Sequence, residues 1–122
     1  GQVYLAPGDY HMTVEGRGGS RHLMLNQNPP ENFCRPSVDP MLRSLVASYG
    51  GNILTAILTG MGQDGMLGGR DVVNAGGMVV AQDEQSSVVW GMPGAAAHAG
   101  ICSAILPVGG IAAYIKKFAG GR

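Results

Sequence analysis

Charge is scarce in this chain. Charged residues make up 13% and aromatics 6%, and 8 Lys+Arg balance 8 Asp+Glu for a net charge of zero. Without a basic surplus there is no electrostatic footprint for nucleic acid or for an anionic membrane surface. Cysteine is nearly absent too. Two thiols, Cys34 and Cys102, make neither a disulfide framework nor a metal site, and fit reduced residues in a cytoplasmic protein. No apolar run approaches the roughly 20 residues of a membrane span, and no cleavable leader is recognisable. The abundant classes are apolar residues (45%) and glycine (21 residues). Because the glycines separate periodic segments, they mark turns and helix ends, not low complexity. At 122 residues the chain suits one domain with a modest core.

The order of segments is α/β. Val3 to Ala6 is a short strand candidate, closed by Pro7-Gly8-Asp9. His11 to Glu15 and Arg21 to Asn26 flank a glycine-rich tip and predict a β-hairpin. After a proline-marked loop, Asp39 is placed as an N-cap with Pro40 at the first helical position. Leu42, Leu45, Val46 and Tyr49 recur with helical period until Gly50-Gly51. Ile53 to Thr59 is almost continuously apolar, the pattern of a strand covered on both faces in a parallel sheet. A helix over Met66 to Ala75, a strand over Met78 to Gln82 and a short helix from Pro93 through Ala95 to Ala97 follow. A strand over Ile101 to Leu106 and a helix over Ile111 to Phe118 close the pattern. The expected fold is α/β: a mainly parallel, doubly wound, Rossmann-like sheet with an inserted hairpin. The chain opens on a strand with nothing before it, so N-terminal strands are expected to be missing.

The most informative segment is Ile53 to Gly65, where the apolar strand ends in Gly60-Met61-Gly62-Gln63-Asp64-Gly65. Gly60, Gly62 and Gly65 match the G-x-G-x-x-G spacing of a dinucleotide loop, with Asp83 and Glu84 about 20 residues on. Against that reading, Asp64 puts an anion where a pyrophosphate would sit. An aspartate at the carboxyl end of a strand also suits the acid of a hydrolase triad, or simply the cap of the next helix. A matching nucleophile is not evident. There is no G-x-S-x-G elbow, Ser37 fits a turn or cap, and Ser86 and Ser87 have no nearby base. Of the histidines, His22 belongs to the hairpin and His98 to an alanine run, which leaves His11 as the one able to line a site.

The strings QVYLAPG, APGDYHM, NFCRPSVD, LTGMGQDG and AQDEQSSVVWGMPGAA occur in that order over nearly the whole chain. Together they resemble the catalytic domain of chemotaxis protein-glutamate methylesterases, the CheB family. The resemblance implies a cytoplasmic serine hydrolase that removes methyl esters from chemoreceptor glutamates, and in many members deamidates glutamines. It implies a Ser-His-Asp triad, no cofactor and no metal, and a regulatory receiver domain in the full-length protein. Asp64 falls on the triad aspartate, Met61 and Gly62 border the site, and Cys34 lies next to it. The segments that carry the family's serine and histidine have no match here, and His11 is not their base. The chain is thus expected to be the C-terminal portion of a methylesterase domain, spanning 1–122 without the receiver domain, and inactive alone. Two alternatives stay open: a nucleotide-binding module, and a non-catalytic interaction fragment prone to self-association through exposed core.

Overall fold

Val79, Val80 and Ala81 are fully buried and mark the central strand of the main sheet. The computed structural model describes residues 1–120. Strands β3 (Leu54–Ile57), β4 (Met78–Gln82) and β5 (Cys102–Leu106) run parallel in the order β3-β4-β5, as the apolar runs predict. Helix α2 (Met66–Asn74) connects β3 to β4, α3 (Met92–His98) connects β4 to β5, and α4 (Val108–Gly120) follows. Leu42, Ile53, Ile57, Val72, Val79, Ala96 and Ile101 form the core between the sheet and the helices.

The other unit is the antiparallel hairpin of β1 (His11–Glu15) and β2 (His22–Asn26), with His11 opposite Asn26 and Glu15 opposite His22. It packs on helix α1 (Val38–Tyr49). The Arg21 guanidinium lies 4.0 Å from the centre of the Tyr49 ring and donates to Ser48 O and Oγ at 3.0 Å each. Val14 N donates to Ser44 Oγ at 3.0 Å, so hairpin and helix are joined at two levels. The fold is therefore the expected α/β arrangement with an inserted hairpin.

Two expectations need correction. Val3 to Ala6 forms no strand, and Val3 and Leu5 are almost fully exposed. A short apolar run makes a strand only beside a partner edge, and this segment has none among the described residues. Helix α1 begins at Val38 with Ser37 as its N-cap, which places Asp39 inside the first turn. Strand β3 pairs only with β4 among the described residues. A groove of about 650 Å³ adjoins its start, lined by Tyr4, Met12, Leu23, Leu45, Tyr49 and Leu54 among others.

Helices α1 and α2 meet closely because Gly68 faces α1. A Cβ on Gly68 would lie 2.8 Å from Leu42 Cβ and 3.1 Å from Asp39 Cα. Substituting Gly68→Ala should therefore destabilise the chain by about 1–3 kcal/mol in urea denaturation, the usual range for overpacking. Gly109→Ala, with no atom within 4 Å of its new methyl, should be neutral or stabilising by less than about 1 kcal/mol.

Candidate active site

Asp64 follows β3 at its carboxyl end and is 5% exposed. Its carboxylate does not cap α2, the helix that follows it, but reaches across to the N-terminus of α1. Oδ1 accepts from Ser37 Oγ at 2.8 Å, Asn32 Nδ2 at 2.9 Å and the Asp39 N–H at 3.1 Å. Oδ2 accepts from the Val38 N–H at 2.7 Å. An anion at this position is favoured by the free N–H groups and dipole of the helix.

Asp39, 2% exposed, does the same for α2. Its Oδ1 accepts from the Gly65 N–H at 3.1 Å and the Gly68 N–H at 2.8 Å. Its Oδ2 accepts from Asn32 Nδ2 at 2.8 Å. Each aspartate thus caps a helix other than the one its own position in sequence suggests. Two N–H groups that a dinucleotide's pyrophosphate would use at the start of α2, those of Gly65 and Gly68, are already taken by Asp39, which weighs against that reading.

Asn32 comes from a two-residue turn in which Glu31 and Cys34 exchange backbone hydrogen bonds of 3.1 and 2.9 Å. Asn32 and Phe33 both have positive φ, 54° and 62°, as such a turn requires. The base of the turn is tied to α1 by two hydrogen bonds from the Arg43 guanidinium to Glu31, at 2.9 and 2.7 Å. These hold the Glu31 carboxyl below its ordinary pKa, chiefly through the hydrogen bonds. Phe33 is fully exposed at the tip.

The Gly60–Gly62 stretch is held from the other side. Gly60 N donates to Val89 O at 3.0 Å, and Met92 N donates to Gly60 O at 2.8 Å. A Cβ on Gly91 would stand 2.8 Å from both Gly60 O and Gly62 N, so only glycine allows this approach. Beneath it the buried Gln82 accepts from Thr59 N at 2.8 Å, and its main-chain oxygen accepts from Trp90 Nε1 at 2.9 Å. A cleft of about 470 Å³ lies between Asn32, Phe33, Gly62, Gln63, Trp90 and His98, so its wall includes the residue before Asp64. His98 packs edge-on to Trp90, with ring centres 5.6 Å apart.

The structure thus brings Gly62 and Asp64 together with the turn that carries Cys34. Cys34 is exposed, and its thiol contacts Asn32 O at 3.3 Å. Met61 is 81% exposed on the same loop as Asp64. His11 does not line the site. It is 1% exposed, accepts from Ser37 N at Nδ1 (3.2 Å) and pairs Nε2 with Pro29 O at 3.0 Å. Those contacts fix the tautomer with its proton on Nε2 and leave neither nitrogen free. Sequence reasoning missed Asn32 and assigned Asp39 to the wrong helix. The readable signal was the NFCRPSVD string, where an asparagine can accept the left-handed conformation.

Comparison with known proteins identifies the family. A family model described as CheB methylesterase matches residues 1–115. The chain is 66% identical over 122 residues to protein-glutamate methylesterase/protein-glutamine glutaminase 1 of Paramagnetospirillum magneticum, covering 100% of the chain and 32% of that protein. It is 62% identical over 120 residues to protein-glutamate methylesterase/protein-glutamine glutaminase of Azospirillum brasilense, covering 98% of the chain and 30% of that protein. The crystal structure of the Thermotoga maritima CheB methylesterase catalytic domain superposes with a TM-score of 0.89 at 35% identity, over 93% of the chain and 60% of that domain. The chain spans about a third of the length of the curated relatives it matches. It belongs to the CheB methylesterase family.

Two outcomes test the site's architecture. Asp64→Asn keeps the shape but must turn an N–H₂ group toward at least one of the four donors. It should cost about 1–3 kcal/mol in denaturation, the penalty for a buried donor left unpaired. Titration with NAD should leave the melting temperature unchanged, and a saturable rise would restore the nucleotide reading.

Proposed function

We propose that this member of the family forms the C-terminal part of a methylesterase catalytic domain and contributes Asp64 as the acid of a Ser-His-Asp triad. The serine and histidine would come from sequence outside these 122 residues. The observation that carries the reading is the Asp64 carboxylate itself, buried at a strand end and rigidly held, with Oδ2 accepting one hydrogen bond where Oδ1 accepts three. Among the described residues, none of its donors is an imidazole. Ser37 is not a free nucleophile, because its hydroxyl proton is already given to Asp64.

The reaction is acyl transfer at a glutamate side-chain ester of a chemoreceptor. The serine oxygen attacks the ester carbon while its proton passes to the histidine. The tetrahedral intermediate expels methoxide, which takes that proton and leaves as methanol. Water then repeats the sequence on the acyl-enzyme, releasing the glutamate carboxylate and restoring the serine. Asp64 fixes the histidine tautomer and balances the imidazolium that forms twice per cycle. A glutamine amide would follow the same path with ammonia leaving, in line with the double description of the relatives. Met61, Gly62 and Cys34 would line the approach to this centre in a cytoplasmic enzyme with a receiver domain elsewhere in its length. The open edge of β3 fits a domain continued by further strands, and isolated copies of the chain can associate through it.

The isolated chain should neither hydrolyse methylated receptor nor be labelled on any serine by a fluorophosphonate. Adding the remainder of the domain in trans should restore hydrolysis. Asp64→Ala in that complex should lower turnover by about 10⁴, the scale of losing a triad acid's function. Activity of the chain alone, or full activity of Asp64→Ala, would sink the proposal.

A further inference from the structure

We propose that Asn32 is a positioning residue of the esterase site, holding Asp64 so that Oδ2 is the oxygen left for the triad imidazole. The inference rests on the triad reading above and specifies how the acid is aimed.

The Asn32 amide nitrogen carries two protons, and it has two short acceptors, Asp39 Oδ2 at 2.8 Å and Asp64 Oδ1 at 2.9 Å. Its remaining contact, Ser37 Oγ at 3.5 Å, is at the limit of a hydrogen bond. One side chain therefore joins both buried carboxylates, and its proton supply is spent on them. With Ser37 Oγ and the Asp39 N–H, it fills the acceptor capacity of Oδ1. Oδ2 holds only the Val38 N–H and keeps a lone pair open. A half-turn of the Asp64 carboxylate only exchanges equivalent oxygens and remakes the same four bonds, so what the donors fix is the plane of the carboxylate and the position of its less-used oxygen.

The backbone supports the same reading. Asn32 can point inward only because the turn bends through positive φ at both central residues. For Phe33 that conformation costs about 1–2 kcal/mol, and its fully exposed ring gains no burial in return. The strained turn serves the placement of its neighbour, as strain near functional sites commonly does.

Asn32→Gly separates the side chain from the turn, since glycine adopts φ near 54° freely. In the complete methylesterase, this variant should lower kcat for methyl-ester hydrolysis by about 10- to 100-fold, the scale of a misplaced catalytic group. KM should stay within about twofold, because both amide protons of Asn32 are given to the carboxylates and none is left for a substrate. In an Asp64→Asn background, Asn32→Gly should cause no further loss, because residues that act as one unit are not additive. Ser37→Ala removes another donor from the same oxygen and should show the same dependence on Asp64; it decides the matter if Asn32→Gly does not fold. Equal losses in both backgrounds would mean a merely structural role and overturn the proposal, as would unchanged kcat in both variants. If Asp64→Asn alone leaves kcat intact, the triad assignment itself fails and this inference falls with it.

Discussion

Two buried aspartates, each capping a helix that the other's segment leads into, hold the functional end of this molecule together. Asp64 leaves β3 and caps α1, while Asp39 on α1 caps α2, which begins directly after Gly65. The path closes on itself, so moving any one of the strand end, α1 or α2 disturbs the other two. Burying two carboxylates costs several kcal/mol each in the absence of partners. Here every carboxylate oxygen has a donor, and two helix N-termini supply part of the field. The carboxylates cannot simply give way to apolar side chains, because the N–H groups of Val38, Asp39, Gly65 and Gly68 would then be left without these acceptors.

What the sequence made legible was local. β4 occupies the expected residues Met78–Gln82, and α2 and α3 lie within a residue or two of their expected bounds, since period and turn residues act over a few positions. Asp64 was legible because an apolar strand running into glycines announces a strand end. Val3 to Ala6 misled because a strand is completed by its neighbour, which the segment's own letters do not contain. Asp39 misled for a related reason. Its residue type signalled a helix cap correctly, yet the cap it makes is on Gly65 and Gly68, far along the chain. Asn32 was hidden most deeply, because its role depends on a left-handed turn and on a contact 32 residues away.

The resemblance of Gly60 to Gly65 to a phosphate loop has a physical basis. Both structures start a helix with free N–H groups that need an anion. In a dinucleotide loop the anion arrives with the ligand; here Asp39 supplies it from within the fold. The glycines also answer to other demands. Gly62 and Gly65 have φ of 92° and 95°, and Gly60 lies against Gly91 too closely for a side chain on the latter. The same spacing therefore arises from unrelated requirements, which is why the motif alone is a weak sign of nucleotide binding.

A built-in anion network also suits what a triad acid must do. Electrostatic catalysis is effective when dipoles are in place before charge develops, so that nothing reorganises during the reaction. Two of the four donors to Asp64 are main-chain groups of α1, which cannot rotate away, and the other two sit on residues immediately before that helix or in the turn tied to it by Arg43. Holding the acid and starting the helix are thus one set of bonds, and most substitutions here will disturb both. The asymmetry between the oxygens separates the two roles. Donors crowded on Oδ1 anchor the side chain, and in the proposed triad the sparsely used Oδ2 is the oxygen left to face the histidine.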